Sequence, residues 1–214
     1  MTKADLQAIA SVAIKHDLLV VTDEIYAELT YNGKHESIAS IPGMQERTVY
    51  VSGFSKAFAM TGWRMGYVCA PKEIDEAMFK IHQYAIMCAP ITSQYAAIEA
   101  LKDGFSDGFS SVCEMRDSYD KRRKFVLHSL REIGLHCFEP RGAFYVFPSV
   151  KNTCLDGETF AQELLLKQKV ALVPGSAFGE FGDNNVRISY ATSMQSLQEA
   201  MNRIGEFVKE YKKE

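Results

Sequence analysis

The sequence has 214 residues, 47% of them apolar, and a formal net charge of −3 at pH 7. That is enough apolar chain for one large domain or two small ones. The slightly acidic balance argues against a nucleic-acid partner or an anionic membrane surface. Five cysteines, Cys69, Cys88, Cys113, Cys137 and Cys154, are odd in number and widely spaced, with no C-x-x-C pair. That pattern fits a reducing compartment rather than a disulfide framework. No H-E-x-x-H or similar spacing suggests a metal site, so none is expected. The start, MTKADLQAIA, lacks a basic-then-apolar leader, and no apolar run approaches the roughly 20 residues of a membrane span. A soluble, cytoplasmic protein is expected.

Residues 2–16 predict an amphipathic helix, capped by Thr2 with Asp5 as its capping-box partner. Leu6, Ile9, Ala10, Ala13 and Ile14 share its apolar face. Residues 18–21, LLVV, predict a short parallel strand buried on both faces. A helix followed by such a strand suggests an α/β layer fold. Asp23 and Glu24 come next, where open α/β sheets place their ligands. Asp23 is the candidate, because Tyr26 three positions on can face the same cavity. Glu24 is expected to be a solvated loop acid. Residues 31–34, YNGK, read as a turn.

Residues 48–52 predict a second strand, which delivers Lys56 to the sheet edge, and 64–70 a third, ended by Pro71. Residues 72–87 predict a helix with Ile74, Met78, Ile81 and Ala85 on one stripe. Another helix runs over 90–101, with Gly104 and Gly108 bracketing a loop. Residues 109–133 predict a helix long enough to link two domains. Its basic run Lys121-Arg122-Arg123-Lys124 reads as a solvated face. Beyond Gly134 the pattern predicts strands at 135–138, 170–173 and 186–190, and a turn plus strand over 141–147. Helices are predicted over 158–169, with a Leu164-Leu165-Leu166 stripe, and over 193–211. That mixture suggests a compact α+β unit after the long helix.

Three residues carry potential chemistry. Lys56 sits in VSGFSKAFAMTGWRMGY (51–67), a run poor in other charges. A sequestered lysine amine can form Schiff bases with carbonyls. Arg64 can neutralise a phosphate, with Ser52, Ser55 and Thr61 as hydroxyl donors. Arg187, between Val186 and Ile188 in a strand, faces a core or a cavity and wants an anionic partner. Together they describe a site for a phosphate-bearing carbonyl cofactor and a carboxylate substrate.

The stretch GFSKAFAMTGWRMG (53–66) resembles the attachment-site signature of the class I/II aminotransferases, pyridoxal-phosphate enzymes of fold type I. TDEIY (22–26) resembles that family's D-E-x-Y, and PRGAFY (140–145) its P-x-G-A-F-Y. VPGSAFG (173–179) and VRISYA (186–191) resemble its C-terminal motifs, in matching order. The resemblance implies roles for particular residues. Lys56 would form the Schiff base with pyridoxal 5′-phosphate and then shuttle the proton at the substrate Cα. Asp23 would pair with the pyridine nitrogen, and Tyr26 would hydrogen-bond the cofactor's phenolic oxygen. Arg64, with Ser55, would hold the phosphate. Arg187 would clamp the substrate α-carboxylate.

The implied fold class is α/β: the remainder of a mainly parallel cofactor-binding sheet domain over 1–115, then a linking helix and small α+β domain over 116–214. The implied reaction is amino transfer between an amino acid and a 2-oxo acid in a homodimer. A C–S lyase on the same scaffold and a non-catalytic fragment are the alternatives. Many relatives carry serine where this chain has Gly53, and Ser52 is a candidate replacement for that hydroxyl. Intact members also carry an upstream half, with a glycine-containing phosphate loop, a stacking aromatic and an N-P-T-G segment, which this sequence does not contain. The chain is therefore expected to be a C-terminal portion that binds cofactor weakly alone.

Overall fold

The computed structural model describes residues 1–211. The chain is mixed α/β and divides into two compact units, Met1–Arg116 and Asp117–Glu214.

In the first unit, α1 (Lys3–Lys15) begins with a complete capping box. Thr2 Oγ1 accepts the Asp5 backbone N–H, and the Asp5 carboxylate accepts the Thr2 N–H at 2.8 Å. Leu6, Ala10 and Ala13 pack with Ile38 and Met44, whereas Ile9 and Ile14 remain exposed. Strands β1 (Val20–Asp23), β2 (Thr48–Gly53) and β3 (Gly66–Cys69) form one sheet in that order. β1 and β2 are parallel, with Asp23 opposite Val51. β3 returns antiparallel, pairing Gly66 with Gly53, because the connection between them carries only a short 3₁₀ turn and no crossover helix.

The strand expected to be buried on both faces is covered on one. Val21 is 72% exposed and Leu19 67%. Continuous apolar runs mark strands that have cover on both sides, and among the described residues the Val21 face has little. Helix α2 (Lys72–Ala85) carries its predicted stripe but buries no residue. Helix α3 (Ile91–Asp107) starts after Pro90 and runs past the expected loop. Gly104 lies inside it because the Phe109 ring fills the space where a Cβ would project. Only Gly108, left-handed at φ 71°, ends the helix.

Helix α4 (Ser110–Ile133) runs from the first unit into the second. Its basic run is not a uniformly solvated face. Arg123 is 2% exposed, bonded to Asp120 at 2.7 Å, to Glu139 at 2.6 Å and to the Pro140 carbonyl at 3.0 Å. Burial pulls the Arg123 pKa down, but the hydrogen bonds and charges of Glu139 and Asp120 outweigh it and leave it raised. Burial likewise pushes the Asp120 carboxyl up, and Lys124 and Arg123 reverse that to a net lowering.

The second unit holds β4 (Tyr145–Val146), α5 (Gly157–Gln168), β5 (Val173–Pro174), β6 (Val186–Ser189) and α6 (Met194–Tyr211). β6 lies between β4 and β5, antiparallel to both. No named strand forms at 135–138. Of the leucine stripe, only Leu164 is buried, since consecutive helical residues point about 100° apart. The core gathers Phe160, Leu164, Leu197, Met201, Ile204 and Phe207, with the Phe160 and Phe207 rings perpendicular. Among the described residues, no helix is long and apolar enough to cross a membrane.

Candidate active site

The turn after β2 is anchored by its aromatic and small residues. Phe54, Ala57 and Met60 are buried, and Phe54 and Met60 cluster with Ala97 of α3. The Phe54 ring meets Phe58 at 5.2 Å and Tyr67 at 6.1 Å. With these groups turned inward, Lys56 stays half-buried, its Nζ 5.7 Å over the centroid of the Tyr26 ring. A cation held at a ring face is attracted by the ring quadrupole, so the contact keeps amine and phenol ring together. Ala59, left-handed at φ 53°, reverses the chain toward Arg64.

Hydrogen bonds join the rest of the turn. Thr61 Oγ1 donates to the Ser55 carbonyl, and Arg64 Nη1 donates to the Thr61 carbonyl, each at 2.9 Å. Arg64 was expected to open the third strand. It instead caps the 3₁₀ turn Thr61–Trp63 in a left-handed conformation, φ 52°. Its side chain is exposed, with no ion-pair partner among the described residues. Ser93 Oγ donates to the Trp63 carbonyl at 2.6 Å and ties the turn to α3.

Asp23 ends β1, exposed, with one carboxylate oxygen accepting the Ile25 N–H at 3.1 Å. Glu24 is not the solvated acid expected from sequence. It is buried, and its carboxylate accepts from Ser37 Oγ at 2.7 Å and Thr22 Oγ1 at 3.2 Å, and lies 2.5 Å from His35 Nε2. Its backbone N–H donates to the Val51 carbonyl at 2.8 Å and its own carbonyl accepts from Ala27. Glu24 thereby fixes the turn between Asp23 and Tyr26. Its partners sit eleven and thirteen positions away in an aperiodic loop, so no sequence pattern reports them.

A cavity of about 1000 Å³ in the first unit lies elsewhere. It opens on the sheet face carrying Tyr50, Ser52 and Tyr67, against Ala97, Ile98 and Leu101 of α3, and neither Lys56 nor Asp23 lines it. Side chains alternate along a strand, which puts Asp23 on the opposite face. Burial raises the Tyr50 phenol there, opposed by a hydrogen bond with Ser52 and aided by the nearby Tyr67 and Glu24. Ser52 Oγ makes a long 3.4 Å bond to the Glu24 carbonyl, so its hydroxyl belongs to the cavity face. Gly53 has its own reason: a Cβ there would stand 2.8 Å from Gly66 Cα and 2.9 Å from the Met65 carbonyl.

Arg187 belongs to the second unit. Sequence placed it facing a core or cavity, but Val186, Ile188 and Tyr190 take the core side of β6. Arg187 is half-buried on the other face, its Cζ 4.6 Å over the Tyr145 ring and 4.6 Å over the Phe178 ring. Sequence reading missed both rings. The alternation that turns Arg187 outward also turns Tyr145 outward on the paired strand.

The first unit thus presents a half-buried lysine to a phenol ring, on a turn that leads to an exposed arginine. The model described as Aminotransferase class I and II matches residues 1–204, and the chain belongs to that family. YugH of Bacillus subtilis (strain 168), named as an aminotransferase without a substrate, is 55% identical over 97% of this chain and 53% of its own length. An aspartate aminotransferase of Pyrococcus abyssi is 50% identical, over 99% of this chain and 54% of its own. Among solved structures, an aromatic aminotransferase from Pyrococcus horikoshii OT3 matches with a TM-score of 0.94 and 50% identity, over 98% of this chain and 56% of that one. The chain spans about half the length of the curated relatives it matches.

Proposed function

We propose that this chain carries the lysine-bearing part of a pyridoxal-phosphate aminotransferase, which moves an amino group between an amino acid and a 2-oxo acid. The observation behind this reading is the contact of Lys56 with Tyr26, on a turn whose hydrogen bonds run from Ser55 through Thr61 to Arg64. The donor set fits the cofactor: an amine for an aldehyde, a strand-end carboxylate for a ring nitrogen, and an arginine with unused donors for a phosphate.

When bound, pyridoxal 5′-phosphate supplies an aldehyde for an amine and a protonated ring that withdraws electrons from the substrate Cα. Lys56 would hold the group through its amine and would serve as the general base and acid for the proton at Cα. Asp23 would hold the ring nitrogen protonated, Tyr26 would donate to the phenolic oxygen, and Arg64 with Ser55 would bind the phosphate. Arg187 takes the substrate α-carboxylate as a bidentate fork. In this reading residues 1–115 are part of the large domain with its mainly parallel sheet. Residues 116–214 are the linking helix and the small α+β domain, and the whole enzyme is a cytoplasmic homodimer. The relatives' names divide between aspartate and aromatic substrates.

The test is a half-reaction. The chain, with excess pyridoxal phosphate and one amino acid, is expected to form pyridoxamine phosphate slowly, and Lys56→Ala to fall to the rate of free cofactor. Release of pyruvate and ammonia in its place would assign a lyase. Equal rates with and without Lys56 would remove the catalytic reading.

A further inference from the structure

Arg187 is an arginine without an acid. Among the described residues its guanidinium makes no hydrogen bond and no ion pair, and it lies over the ring faces of Tyr145 and Phe178. Strand register brings these rings to it. Tyr145 pairs with Ser189 across β4 and β6, which makes it the diagonal neighbour of Arg187 on the same face. Val173 of β5 pairs with Arg187, and the 3₁₀ turn Gly175–Phe178 that follows carries Phe178.

Both rings are braced by other rings. Phe144 packs on Tyr145 with centroids 4.8 Å apart, and Tyr119 of α4 packs on Phe144 at 5.5 Å. Phe147, across the strand pair, meets Phe178 edge-on at 6.0 Å. A carboxylate partner would have neutralised the guanidinium and competed with any incoming acid. Ring faces attract the cation without occupying its N–H donors. They also restrict its rotamers before a ligand arrives, which lowers the ordering cost of binding.

We propose that Tyr145 and Phe178 are positioning residues that hold the Arg187 fork ready for a planar carboxylate. This rests on the reading of Arg187 as the group that binds the substrate carboxylate. In this role the rings touch the arginine and not the reacting atoms, so they set carboxylate affinity and leave proton transfer to Lys56.

Titration of pyruvate into the full 214-residue chain, followed by the Arg187 Nε–H resonance and the backbone amides of β6, tests both claims. Saturable shifts are expected in the unaltered chain and none in Arg187→Gln. Tyr145→Leu and Phe178→Leu are each expected to weaken binding about two- to ten-fold, while Tyr145→Phe and Phe178→Tyr bind as the unaltered chain does. Phe178 is 52% exposed, so its leucine variant decides the matter if Tyr145→Leu loses the β6 amide pattern. Leucine variants that keep full affinity while Arg187→Gln loses it would overturn the role of the rings and leave Arg187 standing. An unaltered chain that shows no saturable shift, or Arg187→Gln that still binds, would overturn the carboxylate reading and the rings' role with it.

Discussion

Gly53 stands three residues before Lys56, and at that spot the β2 and β3 backbones nearly touch. A side chain there must push Gly66 or the Met65 carbonyl aside. Gly53→Ser is expected to destabilise the first unit by about 1–3 kcal/mol, the usual cost of overpacking. Trp63, the sole tryptophan, lies in the adjoining turn, so its fluorescence in a denaturant titration reads the loss as an earlier midpoint with unchanged slope. Lys56, Arg64 and Asp23 were singled out by residue type, and their particular roles by the motifs around them. Glu24 was not, because its burial depends on His35 and Ser37 folding back over it. Tyr145 and Phe178 were hidden for a related reason: each reads as an ordinary apolar position until strand pairing sets it against Arg187.

At the scale of elements, local signals carried well. The capping box of α1 was readable because Thr2 and Asp5 lie within one turn; the end of α3 was not, since Gly104 sits inside the helix against the Phe109 ring and only Gly108 ends it. Burial carried less well, since it depends on what packs from elsewhere: α2 has its apolar stripe and buries none of it. The middle of α4 holds a second surprise in Arg123, buried between Asp120 and Glu139. Glu139 is largely exposed and Asp120 keeps Lys124, so the loss falls on the buried guanidinium's own packing and hydrogen bonds. Arg123→Ala is accordingly expected to cost the second unit about 1–3 kcal/mol, seen as a lower melting temperature by circular dichroism. The same cluster sets an acid limit. The Asp120 carboxyl is lowered in the folded chain, so its contribution is fully present above the ordinary carboxylate range. It is lost as pH falls through that range and the depressed folded value. Acid unfolding should therefore begin at higher pH in Asp120→Asn, a comparison that a circular-dichroism pH titration makes directly.

At the scale of the whole molecule, exposed apolar surface is the dominant fact. Tyr84 is 95% exposed, Met87 77%, Phe105 77% and Val21 72%, on a chain spanning about half the length of its curated relatives. Exposed large apolar side chains in this number favour association. The isolated chain is expected to bind a hydrophobic dye and to self-associate with rising concentration in light scattering; a monodisperse monomer that leaves the dye dark would contradict this. The central claim concerns Lys56, and covalent trapping tests it most directly. The chain is mixed with pyridoxal 5′-phosphate, reduced with borohydride and digested, and each lysine is read by mass spectrometry. The account predicts a phosphopyridoxyl group concentrated on Lys56 and weakened by Arg64→Ala. A label spread evenly over surface lysines, with Lys56 unmarked, would contradict it.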